Sequence, residues 1–306
     1  MSISVVFLGT AGSVPTPQRS LPAIAIQRKD ELILFDCGEG TQRQIIKARL
    51  GLHKKTKIFI THMHGDHILG LPGLIQTMAL MDRKRKLQVY GPSGIQMFLE
   101  AIKATVQFAL TFPIEVKEVG NDEIVCEEKE YIVKAVQTKH VIPSLAYALE
   151  EKPRPGKFYL EKALTKGIPE GPLWSRLQQG RSVKLPSGKI VKPEEVVGPP
   201  RKGRKIVYTG DTQPSKTLMK FAKDVDLLIH DSTFDDNLAD RAKEDGHSTP
   251  MQAAKIAKKA NAKRLVLTHI SARYKDTAVL LEQARKMFLE VVVAKDFMKI
   301  DLPLQS

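Results

Sequence analysis

Four potential metal ligands crowd into six residues, His62-Met63-His64-Gly65-Asp66-His67. Imidazole and carboxylate suit zinc and similar divalent ions, and packed together they gain little else. The run follows the strand-like Lys57–Ile60 and precedes an apolar helical stretch, which places it in a loop at the end of a strand. Three singletons repeat that placement. His140 closes Val136-Gln137-Thr138-Lys139, Asp211 lies in Tyr208-Thr209-Gly210-Asp211-Thr212, and His269 ends Leu265-Val266-Leu267-Thr268. Each alone reads as a plain polar residue; together they describe side chains offered from strand ends toward one edge. Gly210 would let the backbone approach closely there.

The rest of the chain supplies strands to carry them. Ile3–Leu8, Ala23–Ile26, Leu32–Phe35, Ile58–Ile60 and Leu87–Tyr90 have strand character, with helical spacing over Thr41–Leu50 and Leu71–Met81. A second set follows at Ile114–Val119, Tyr131–Val136, Ala146–Leu149, Ile206–Tyr208, Leu227–His230, Leu265–Leu267 and Val291–Val293. Helices are expected at Gly94–Phe108, Ser215–Phe221, Pro250–Ala260 and Thr277–Phe288. Strands punctuated by helices in both halves suit two packed sheets with helices outside, an αββα sandwich of the α+β class. The pattern alone equally allows other mixed folds.

Lys152–Lys205 breaks this rhythm. Its 54 residues hold seven Gly and eight Pro, a density that interrupts regular structure. With 14 Lys or Arg against 4 Glu it carries +10 of the chain's net +14. It is too long for an ordinary connection, and Phe158, Tyr159, Leu160, Leu164, Leu173 and Trp174 are more apolar surface than a pure linker would hold. We expect a protruding basic arm with an ordered tip, inserted into one domain that spans residues 1–306. A strong positive balance favours polyanions.

Other features bound the class. At 306 residues the chain can bury a sizeable core without disulfides. Cys37 and Cys126 are too isolated for a thiolate zinc site and read as small buried thiols. No secretory signal and no apolar run long enough for a membrane span is visible, so a cytoplasmic protein is expected.

The HxHxDH run with its separated His, Asp and His partners resembles the metallo-β-lactamase superfamily across almost the whole chain. The resemblance implies the four-layer αββα fold and two Zn2+ per subunit. His62, His64 and His140 would hold one ion, Asp66, His67 and His269 the other, with Asp211 bridging. Among the branches, the lactamases usually use a Cys ligand and a signal peptide, and the glyoxalases add a C-terminal helical region. The cleavage-factor nucleases insert a large domain for which this chain is too short. The ribonuclease Z family is the most similar. Phe7-Leu8-Gly9-Thr10-Ala11-Gly12-Ser13-Val14-Pro15-Thr16 resembles its opening, and Gly167-Ile168-Pro169-Glu170-Gly171-Pro172-Leu173-Trp174 its Gly-Pro exosite. Gly246-His247-Ser248-Thr249 and Thr268-His269-Ile270-Ser271-Ala272-Arg273-Tyr274 resemble its late motifs. Gln213 departs from the family's Arg, which questions a phosphate contact there but leaves the cage intact.

That family implies an endoribonuclease that removes the 3′ trailer of precursor tRNA, leaving a tRNA 3′-OH and a trailer 5′-phosphate. Asp66 would orient the nucleophile and take its proton; His247 would serve the departing oxygen. Taken without the resemblance, His247 is a solvated histidine beside a helix start. Lys152, Arg154, Lys157, Lys162, Lys166, Arg176 and Arg181 are the candidate RNA contacts of the arm. A homodimer, one subunit's arm holding RNA for its partner's site, is implied by the family alone. Two rival functions share these residues: a phosphodiesterase acting on small phosphodiesters, which has no need of the arm, and an idle RNA-binding protein, which would have no need of seven intact ligands.

Overall fold

The computed structural model describes residues 3–121 and 123–304. Cα proximity divides the described residues into two compact units, the larger made of those through Glu150 with Lys205–Pro303, the smaller of residues 151–204 with Leu304.

The larger unit contains two seven-stranded sheets. The first runs in the order Lys299–Leu302, Ile3–Gly9, Ala23–Arg28, Glu31–Phe35, Lys55–Phe59, Leu87–Gly91, Ile114–Glu118. The second runs Val291–Val293, Leu265–Thr268, Leu227–Asp231, Lys205–Tyr208, Ser144–Glu151, Tyr131–Thr138, Glu123–Glu127. In each, parallel strands with helical crossovers meet an antiparallel portion, as at Ile24↔Phe35 beside Phe35↔Phe59. Strands covered on both faces need apolar residues on both, hence the nearly unbroken runs such as Ile3–Leu8. Ile3, Val5 and Phe7 enter the core between the sheets, whereas Val6 and Leu8 join the layer beneath the helices. In the central core Phe35 stacks on Tyr147 and Tyr208, with centroids 6.0 and 5.8 Å away. Such pairs add about 0.5–1.5 kcal/mol each beyond burial.

Helices Thr41–Lys47, Gly70–Leu80 and Ile95–Thr105 follow strands of the first sheet, whose outer face shares an apolar cluster with them. Lys216–Phe221, Pro250–Lys259 and Ala278–Arg285 do the same for the second. This is the αββα arrangement. The first helix stops at Lys47 rather than continuing to Leu50, and Arg49 adopts φ 54 just beyond it. The edge strands Glu123–Glu127 and Lys299–Leu302 escape sequence reading because charged residues interrupt their short apolar patterns. Cys37 and Cys126 are buried free thiols. Among the described residues no helix is long and apolar enough to cross a membrane.

The smaller unit has its own core of Ala163, Ile168, Leu177, Val183, Leu185, Val191 and Val196. Phe158, Leu173 and Trp174 pack against it, the Phe158 and Trp174 rings 5.3 Å apart. Two helices, Leu160–Thr165 and Pro172–Gln178, and the ribbon Val183–Lys184 with Ile190–Val191 build it. Tyr159, Leu160 and Leu164 stay exposed. Its two ends meet where Glu151 N donates to Arg204 O (2.9 Å) and the Arg204 guanidinium grips the Glu151 carboxylate with two contacts of 2.7 Å.

Candidate metal centre

The side chains gather where several strands end. His62 lies three residues past Phe59 and is fully buried. His64 precedes the one-turn helix Gly65–Ile68, which carries Asp66 and His67. His140, Asp211 and His269 each follow a strand of the second sheet. Gly210 (φ 56) makes this convergence possible, because a Cβ there would stand 2.8 Å from the Thr61 side chain. At Gly246 (φ 78) a Cβ would meet His140 Nδ1 at 2.7 Å, and the Gly246 carbonyl accepts from that nitrogen instead (2.8 Å). His269 itself sits at φ 60, a strained conformation that surrounding structure must enforce.

All seven cage candidates come together. His62, His64, His140 and Asp211 form one group, and Asp66, His67 and His269 another. His62 Nε2 stands 3.0 Å from His64 Nδ1, which is 3.4 Å from His140 Nε2. Asp211 Oδ2 is 3.6 Å from His62 Nε2, 3.4 Å from His67 Nε2 and 3.2 Å from His269 Nε2, so it faces both groups. Asp66 Oδ2 lies 3.5 Å from His67 Nε2 and 3.4 Å from His269 Nε2. Ligand atoms about 2.0–2.1 Å from a tetrahedral ion stand about 3.3 Å from one another. The donor spacing therefore matches divalent ions. His67 Nε2 and Asp211 Oδ1 are moreover buried with no hydrogen-bond partner among the described residues, a costly condition that coordination relieves.

The electrostatics agree. Burial, then the neighbouring His67, push His62 down to about 2, keeping it a neutral donor. Burial and His140 also lower His64. Burial would raise the Asp66 and Asp211 carboxyls, but His269 and His67 outweigh it and hold both well below the usual range.

Two carboxylates that sequence reading missed orient the donors. Asp36, fully buried at φ 60, accepts from Thr61 N (2.8 Å), Thr61 Oγ1 (3.0 Å) and Tyr208 OH (2.8 Å), and lies 2.7 Å from His67 Nδ1. Asp231 accepts from Thr233 Oγ1 (2.7 Å), and that hydroxyl is 2.7 Å from His269 Nδ1. Each lies at or just past the end of an apolar strand, the same weak signal that Asp211 carries. His247 lies near Asp211 and His269, yet its Nδ1 is committed to Asp231 Oδ2 at 3.0 Å and is 3.9 Å from Asp211 Oδ2. Burial opposes its charge, but Asp231 prevails and raises its pKa to about 9. His247 is thus buried, with Asp231 favouring its charged form, and is not a solvated histidine. Gln213 donates from Nε2 to the Lys243 carbonyl (2.6 Å), spanning to the segment just before His247.

The arm candidates divide. Lys157, Lys162, Arg176 and Arg181 are exposed, while Lys152, Arg154 and Lys166 are half-buried. Lys166 pairs with Glu195 at 2.6 Å, Lys162 lies over the Tyr159 ring at 4.6 Å, and Arg154 bridges Arg201 through the backbone.

Fold and cluster define a metallo-β-lactamase-type hydrolase centre, and a model described as "Beta-lactamase superfamily domain" matches residues 176–270. A model described as "Anti-Pycsar protein Apyc1" matches residues 3–152. Ribonuclease Z of Methanosarcina acetivorans is 48% identical over 302 residues, covering 98% of each chain. Ribonuclease Z of Haloferax volcanii is 46% identical over 305 residues, covering 99% of this chain and 96% of the relative. The crystal structure of human tRNase Z, short form, superposes with a TM-score of 0.73 at 33% identity, covering 98% of this chain and all of that one. The chain belongs to the ribonuclease Z family, hydrolytic endonucleases of that superfamily.

Proposed function

We propose that this protein is a zinc-dependent endoribonuclease that removes the 3′ trailer from precursor tRNA, leaving a tRNA 3′-OH and a 5′-phosphate on the trailer. The observation that carries the reading is Asp211, whose single carboxylate oxygen faces donors from both ligand groups, the arrangement a two-metal hydrolase requires. The chemistry follows from the donor set. His62, His64 and His140 would hold one Zn2+ and Asp66, His67 and His269 a second, with Asp211 available to both. Zinc held there supplies Lewis acidity and lowers the pKa of water toward neutrality.

The chain's own residues do the remainder. Asp66, fixed by the Ser13 amide at 3.0 Å, orients the attacking water and takes its proton. His247, held by Asp231, donates a proton to the departing 3′-oxygen. The surplus cationic charge of residues 152–205 supports its assignment as an RNA-binding exosite, with Lys157, Lys162, Arg176 and Arg181 as the freest contacts. A homodimer is the assembly that membership of the ribonuclease Z family supports. A tRNA-processing role supports a cytoplasmic location.

The test is incubation of the zinc-loaded protein with a 3′-extended precursor tRNA, mapping the cut and its end groups. One zinc-dependent cut near the discriminator nucleotide, leaving 3′-OH, is expected. Turnover of small phosphodiesters without any RNA cleavage would overturn the reading.

A further inference from the structure

Helices Lys216–Phe221 and Pro250–Lys259 flank a groove of about 260 Å³ that includes Pro214, Lys216, Met219, Lys255, Ile256 and Lys259. Ile256 is buried and Met219 half-buried, giving an apolar floor. Lys216, Lys255 and Lys259 are exposed on its walls and form no ion pair among the described residues. Among the described residues no carboxylate lines the groove, and neither helix contains one. Lys29 and Lys86, by contrast, each pair with a carboxylate, Glu130 and Glu115. Three unmatched ammonium groups over an apolar floor are complementary to a nucleic-acid strand, with phosphates at the rim and sugar or base faces below.

The groove also has a defined origin. Its first helix begins five residues after Asp211, and its second three residues after His247. Ser248 Oγ donates to the Thr212 carbonyl at 2.6 Å, tying together beside His247 the segments that lead into both helices. Ser215 and Thr249 cap the two helices, fixing where they start. Lys255 and Lys259 are one helical turn apart, about 6 Å at Cβ, a spacing that neighbouring phosphates of one strand can follow.

We propose that this groove binds the sugar-phosphate backbone of the mature tRNA portion of the substrate, on the 5′ side of the cut. The inference rests on the function proposed above. In that reaction the leaving 3′-oxygen belongs to the mature RNA, and His247 serves it; a groove springing from the His247 edge therefore meets the strand that ends in that oxygen. The trailer, which keeps the phosphate, departs without engaging these lysines.

The test compares the wild type with a triple Lys216→Ala, Lys255→Ala, Lys259→Ala variant and with the corresponding triple Lys→Arg variant. Binding of precursor tRNA, mature tRNA and a free trailer oligonucleotide is followed across a salt series. Hydrolysis of bis(p-nitrophenyl) phosphate reports whether the metal centre is intact. The alanine variant is expected to raise KM for precursor about tenfold with kcat nearly constant, and to reduce the slope of log affinity against log salt by about two to three. Mature tRNA should lose affinity in parallel, trailer binding should not change, and the arginine variant should restore all of these. Unchanged precursor affinity and salt slope would overturn the proposal, and so would a loss confined to the trailer. Dissociation of a dimer by the alanine variant, seen in sedimentation, would instead make the groove an interface between copies. A wild type that binds tRNA through these lysines but never cuts it would sink the assigned activity, not the groove.

Discussion

Asp36 Oδ2 stands 2.7 Å from His67 Nδ1 while His67 Nε2 faces Asp66 and Asp211, so one buried carboxylate fixes both the tautomer and the aim of a cage imidazole. The same oxygen accepts from Thr61 and Tyr208, joining the two sheets directly beneath the centre. Asp36→Asn keeps the shape but removes the charge that His67 leans on, and metal affinity is expected to fall about 10–100-fold. Competition with a chromogenic chelator measures it, with circular dichroism unchanged. Asp36→Ala also strands the Thr61 and Tyr208 donors, and should cost about 3–5 kcal/mol of stability in denaturant unfolding.

Asp211 faces both ligand groups, whereas His140 belongs to one. Elemental analysis of purified variants should therefore find about two metal ions per chain in the wild type and about one in His140→Ala, with Asp211→Ala falling below one. Equal losses in the two variants would remove the case for a shared carboxylate.

His247→Ala should lower kcat on precursor tRNA by about 10²–10⁴-fold while leaving metal content intact. Asp231→Asn should lower it less, since His247 persists but loses the partner at 3.0 Å. A His247 variant that instead loses metal would make this residue a ligand and not a proton donor.

Because Glu151 and Arg204 are hydrogen-bonded neighbours, residues 152–203 can be replaced by an Asn-Gly turn without breaking the flanking ladder, in which Glu150 pairs with Lys205. The shortened enzyme should hydrolyse bis(p-nitrophenyl) phosphate at a rate within about threefold of wild type, yet require much higher precursor tRNA concentrations, with a shallower salt dependence. Equal loss on both substrates would assign the segment to folding of the centre.

The sequence named the seven side chains that the structure brings together. His62, His64, Asp66 and His67 are adjacent in the chain, so local geometry suffices to cluster them, and the apolar strands preceding His140, Asp211 and His269 marked those ends by residue periodicity. The same periodicity marked strands and helices in both halves, a pattern that suited two covered sheets and equally allowed other mixed folds. Tertiary structure alone decided what surrounds the ligands. Asp36 reaches His67 across 31 positions, and Thr233 reaches His269 across 36. A carboxylate at a strand end carries no local mark that tells a ligand from a ligand's support. Nor could charge counting separate Lys166, tied to Glu195, from the exposed Arg176. Side-chain identity fixes what a residue can bind, but its partner is set by which distant segments the core brings within 3 Å.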